Sequence, residues 1–218
     1  MQPGSGAQAP CGEWAVSVQV TDGGGGPARA PRSDALRNRA LLVDAATSVF
    51  GAEGVEASLE EVARKAGVGI GTLYRHFPTR DALVLAVYRN EVNLLCARAD
   101  ELLAELPPGQ ALAEWMQRFI GYVATKRGMA SVLKAMMADN ATVFEDCRTQ
   151  MMEAARKLLE AAAEVGAVRA DIGAADLVRA MGGICLATDT SALEDNARPL
   201  IALLLDGLRF GAPGSASP

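Results

Sequence analysis

Aromatic side chains make up only 5% of the 218 residues, although half of the chain is hydrophobic. A core must then be assembled from Ala, Leu, Val, Met and Ile, a composition that favours packed helices over sheets. There is one histidine, His76, and the four cysteines (Cys11, Cys96, Cys147 and Cys185) are far apart with no CxxC pair. Such a set gives no transition-metal site and reads as reduced thiols rather than a disulfide frame. No apolar run approaches the ~18 residues that cross a bilayer. The N-terminus lacks the basic stretch and apolar core of a secretory signal. The expectation is a soluble cytoplasmic protein that needs no metal, cofactor or membrane. Enzymatic signatures are missing too: no nucleophile–base pair or paired metal ligands stand out. Gly23 to Gly26 lacks the Lys-Ser/Thr of a phosphate loop. An all-α enzyme is kept only as an alternative.

A generic excess of positive charge is also lacking. The formal net charge is −5 and the pI about 5.0, which argues against an unspecific polyanion binder. The distribution is uneven. Residues 1–31 carry −1, Arg32 to Arg80 carry +1, and Asp81 to Pro218 carry −5. A DNA surface would have to be local, on the segment before Asp81, with the acidic remainder facing away.

Residues 1–31 are rich in Gly, Pro, Ala and Gln, and the prediction is a disordered tail. Trp14 to Val20 alternates like a strand without a neighbour to pair with. Beyond the tail the chain reads as helix throughout. A first helix is predicted from about Ser33 to Ala52, capped by Ser33 or Asp34. Its apolar stripe is Leu36, Ala40, Val43, Ala46, Thr47 and Phe50. Ser58 and Glu61 have capping-box spacing, Gly67 suits a left-handed C-cap, and Ile70 to His76 forms a short helix that Pro78 ends. Thr79 caps a long helix to Leu106, which Pro107-Pro108-Gly109 stops. Further helices follow over about 109–126, 129–138, 142–165, 174–188 and 196–210. No stretch has sustained strand alternation with turn signals. The fold class is all-α, with about nine helices in two parts: an N-terminal three-helix helix-turn-helix domain over 32–80, and a helical domain over 81–212.

The segment SLEEVARKAGVGIGTLYRHFPTRDAL, residues 58–83, carries the chemistry. Two short helices joined by a turn are a poor way to build a core and a good way to present one helix to a major groove. Gly71 lets backbone approach the groove. Ile70 offers apolar contact, and Thr72 a hydroxyl and a methyl. Arg75 reaches a guanine edge or a phosphate. Tyr74, His76 and Arg80 can donate to phosphates, and Ser58 opens the preceding helix on the same side. Leu73 and Phe77 face inward.

GVGIGTLYRHFPTRDAL resembles the hallmark segment of tetracycline-repressor-type (TetR-family) transcriptional regulators. Gly67, Val68, Gly71, Thr72, Leu73, Tyr74, His76, Phe77, Thr79, Arg80, Asp81 and Leu83 fit the pattern, as do Ala45, Phe50, Gly54 and Ala63 upstream. Gly69 departs from it where a capping Ser is usual, and Glu60 stands where relatives carry a basic or neutral residue. The resemblance implies a regulator that binds double-stranded operator DNA, with the C-terminal helices binding a small effector and forming the homodimer.

The residues of the second half are consistent with those roles. Trp115, Phe119, Tyr122, Met136, Met137, Phe144 and Met151 form the candidate pocket lining, because methionine adapts to varied apolar surfaces. The effector would be small and apolar or amphipathic. Met181, Ile184, Leu200, Leu204 and Leu208 lie on the last two helices, and the final helix is apolar around most of its circumference. Such a helix needs cover on two sides, which a symmetry mate supplies. The reading is a repressor released from a palindromic operator by its effector. A redox-responsive regulator acting through Cys147 or Cys185 is the alternative.

Overall fold

The computed structural model describes residues 31–188 and 192–211, with the side chains of residues 31 and 32 left aside. The described residues form nine helices and no strand: α1 (Pro31–Glu53), α2 (Leu59–Lys65), α3 (Ile70–His76), α4 (Arg80–Glu105), α5 (Pro108–Gly128), α6 (Ala130–Met136), α7 (Ala141–Glu164), α8 (Ala174–Ala187) and α9 (Leu193–Arg209). The strand-like alternation at Trp14 to Val20, and Cys11, lie outside the described residues.

Helices α1–α3 form a small bundle around Leu42, Val49, Phe50, Val62, Leu73 and Phe77, all buried. Helix α4 leaves this bundle without a break and enters the second part, where it packs mainly on α5 and α7. Trp115 of α5 is wholly buried there, and its indole N–H donates to the Leu95 carbonyl at 2.9 Å. Helices α8 and α9 close the far side, against α5 and α7.

The helix ends follow local chemistry, with two departures from expectation. Gly54 and Gly67 take φ of 84° and 70°, a left-handed conformation that costs glycine little, so they end α1 and α2. Thr79 caps α4 by accepting the Ala82 N–H at 3.1 Å. Ser33 and Asp34, expected as caps, sit inside the first turn of α1, which begins at Pro31. Proline at a helix start loses no hydrogen bond. The Ser58–Glu61 capping box does not form. Ser58 Oγ accepts the Glu60 N–H at 3.1 Å, and the Glu61 carboxylate turns to Arg64 instead, at 2.9 Å from its Nε. The α1 stripe is also shorter than its pattern. Val43, Ala46 and Phe50 are buried, whereas Leu36 is 70% exposed and Ala40 is exposed as well.

Candidate nucleic-acid interface and interior cavity

Helix α3 has two faces set by its own sequence. Leu73 and Phe77 point into the bundle and are buried. Arg39 of α1 stacks its guanidinium 5.1 Å from the Phe77 ring centroid, which fixes the end of α3 against α1. On the outer face Ile70, Gly71, Tyr74 and Arg75 are exposed, and Thr72 and His76 are half-buried beside them. A Cβ added at Gly71 would meet nothing in the fold, and its φ lies outside the left-handed range. Internal packing therefore does not require glycine at position 71. The helix starts at Gly69 with no side-chain cap, so its first N–H groups stay open to an external acceptor such as a phosphate.

Two of the predicted contact residues are engaged inside the chain. The Arg80 guanidinium donates to the carbonyl oxygens of Val55 and Ala57, the latter at 2.6 Å. It acts as a clamp on the loop before α2 rather than as a free phosphate ligand. Ser58 caps α2, and its hydroxyl donates to the Glu60 carboxylate at 2.6 Å. That bond holds the Glu60 carboxyl below its usual range, with its own backbone N–H and Arg80 adding to the effect. An anionic side chain beside Ser58 opposes a phosphate there.

The loop that Arg80 clamps has a second tie. The Val55 N–H donates to the Gly128 carbonyl at 3.1 Å, so the end of α5 is fastened to the helix-turn-helix. The packing is tight: a Cβ at Gly128 would lie 2.7 Å from the Phe50 carbonyl oxygen. No sequence pattern signalled Gly128, which reads as a weak helix break.

Beyond this junction α4–α8 enclose a cavity of about 720 Å³. Of the predicted lining, Phe119, Tyr122, Met137, Phe144 and Met151 border it, together with Tyr88, Cys147 and Met152. Trp115 and Met136 do not. Both are buried against neighbouring helices. Tyr88 stacks on Phe144 at 5.2 Å and Phe119 on Tyr122 at 5.6 Å between ring centroids. Cys147 and Cys185 are buried and free, and Cys96 half-buried. Burial pushes all three thiols up, Cys96 to about 11. A protonated thiol is a poor nucleophile and a poor oxidant sensor, so these positions lend no support to the redox alternative.

The outer side of α8 and α9 forms an open apolar groove lined by Ile184, Leu200, Leu203 and Leu204, with Ala180 and Gly207 between them. Leu203 is 68% exposed. Leu208 is the buried floor of the groove, and Met181 is turned wholly into the core. Of the predicted interface positions, Met181 alone is turned away from the groove. Among the described residues no helix is long and apolar enough to cross a membrane, and no cluster of His, Cys, Asp and Glu could hold a metal ion.

A three-helix unit that turns one short helix outward, with polar and glycine residues on its free face, defines a helix-turn-helix DNA-binding protein. Residues 42–87 match the profile of the tetR family of bacterial regulatory proteins, and residues 107–210 that of the C-terminal domain of SbtR-like transcriptional regulators. A TetR transcriptional regulator from Streptomyces coelicolor is 46% identical, covers 80% of this chain and 99% of its own, and superposes with a TM-score of 0.73. A TetR regulatory protein from Mycobacterium vanbaalenii is 32% identical, covering 82% and 98% with a TM-score of 0.66. An HTH-type transcriptional regulator from Staphylococcus aureus is 40% identical over 63 residues, a match spanning 28% of this chain and 34% of that relative. The chain belongs to the TetR family of DNA-binding transcriptional regulators.

Proposed function

We propose that the protein is a homodimeric repressor of a near-palindromic operator, released when a small apolar or amphipathic effector occupies the cavity. The observation that carries this reading is the shared loop at Val55–Ala57. One side of it is hydrogen-bonded to Gly128 at the end of cavity helix α5, and the other is gripped by Arg80 at the start of α4. Both helices border the cavity, so a ligand that shifts either one moves α2 and α3 with it. The ligand lowers DNA affinity only by its differential affinity for the two arrangements.

On the operator, Tyr74 and His76 would hold phosphates, while Ile70, Gly71, Thr72 and Arg75 would face base edges. Residues 32–80 would act as the DNA-binding unit and 81–212 as the effector and dimer unit. The groove on α8 and α9 supports pairing with a second copy, which would set two α3 helices about 34–36 Å apart to enter successive major grooves. Duplexes selected by the protein from a genomic library provide the test. Footprinting should reveal two protected half-sites one turn apart on one face. A single half-site, or protection without periodicity, would contradict the dimeric reading. Leu203→Asp should give monomers in sedimentation and lose the paired footprint; an intact dimer would move the interface elsewhere.

A further inference from the structure

The cavity has one charged end, and its charges are unevenly answered. Lys126, Arg127, Lys134 and Arg148 border it against a single acid, Glu145. Arg148 is paired with Glu145 at 2.8 Å. Arg127 donates to the Thr188 carbonyl at 3.0 Å and to that of Cys185. Among the described residues no carboxylate pairs with Lys126 or Lys134.

Lys126 is the one flanked by aromatic rings. Its Nζ stands 5.8 Å from the Tyr88 ring centroid and 5.9 Å from that of Tyr122, between the two rings. Lys126 is exposed and borders the cavity, and the protein around it pushes its ammonium below the usual lysine range. An internal counter-ion would have to come from Cys147, Tyr88 or Tyr122. Burial raises all three, so they stay neutral and provide none. A partly desolvated cation that no carboxylate answers favours whatever anion can reach it. The rest of the wall, including Phe119, Phe144, Met151 and Leu133, takes only an apolar body.

We infer that the cavity selects a hydrophobic carboxylate, its head group on the Lys126 ammonium and the Tyr88 and Tyr122 hydroxyls, its body along Phe119, Phe144 and Met151. This rests on reading the cavity as the effector site. A phosphate ester fits less well, because both arginines that could grip it bidentately are already engaged.

The test compares three ligands with one body: decanoate, decan-1-ol and decylamine, titrated by calorimetry into the full-length protein. Decanoate should bind about tenfold or more tighter than decan-1-ol, the scale of one charge-assisted hydrogen bond. Lys126→Met, which keeps the stem and removes the charge, should erase that preference, and Lys126→Arg should restore it. Lys134→Met should leave the preference in place. Equal binding of acid and alcohol to the unmodified protein would overturn the carboxylate assignment while leaving the cavity as a ligand site. A preference that survives Lys126→Met but not Lys134→Met would overturn the role of Lys126. If none of the three ligands binds, the effector-site reading fails, and the carboxylate proposal with it.

Discussion

The two halves of this chain use the same material, amphipathic helices without many aromatics, to opposite ends. In α1–α3 the apolar residues fall on one side of each short helix. Leu73 and Phe77 are buried while Tyr74 and Arg75, one turn of backbone away, are exposed. In α5 one broad apolar face is buried, with Trp115, Met116, Phe119, Ile120, Tyr122 and Val123 on it. The first arrangement offers a fixed polar face to a regular partner. The second surrounds a cavity that Lys126 and Lys134 border without a paired carboxylate. A surface that must match the spacing of a double helix tolerates little change, whereas a cavity can be relined at many positions.

Substitutions can separate the inner and outer faces of the DNA-binding half. Phe77→Ala should have the largest effect. It empties a buried site and removes the ring under Arg39, and aromatic truncations of this kind cost about 3–5 kcal/mol. Urea unfolding should record that loss, and DNA binding should fall with it. Arg80→Ala should come next. It frees the Val55 and Ala57 carbonyls, with a stability loss of about 1.5–3 kcal/mol for hydrogen bonds to a charged group. If Arg80→Ala instead left the unfolding midpoint unchanged and weakened only DNA binding, the clamp would be refuted. Arg75→Ala should leave stability unchanged and cost about 1–3 kcal/mol of discrimination between operator and random duplex. Tyr74→Phe should have the smallest effect, about 0.5–1.5 kcal/mol for one hydrogen bond, equal on operator and random duplex in gel-shift titrations. A loss confined to the operator would make Tyr74 a base reader.

Much of the DNA-binding half was legible before its structure. The spacing of Leu73 and Phe77 assigned the inner face of α3, and Gly67 marked the left-handed turn, because both are local effects that a few neighbouring residues decide. The clamp that Arg80 forms carried no sequence signal, because its partners are not local. The Val55 and Ala57 carbonyls come within reach of Arg80 only after α4 docks. Ser58 preferred the nearer Glu60 over the Glu61 that the capping-box pattern nominates. In the second half the limit was different. Periodicity finds the buried face of a helix but not which part of that face meets a cavity, so Trp115 could not be told from Phe119 and Tyr122, nor Met136 from Met137. The same ambiguity in α8 and α9 left Met181, wholly buried, and Leu208, at the floor of the groove, undistinguished from the exposed Leu200 and Leu203. Lys126 carries no pattern of its own. Only the folded arrangement of α4–α7 exposes it as a charge without a partner.

The contrast between a fixed outer face and an adaptable interior rests on α3 being the element that meets DNA. Hydroxyl-radical and methylation-interference footprinting of a selected duplex, run with the unmodified protein and with Arg75→Ala, tests this most directly. Two protected major-groove patches one helical turn apart are predicted, with interference at particular bases that disappears in the variant. Protection centred on the minor groove, or an interference pattern that Arg75→Ala leaves intact at every base, would contradict it.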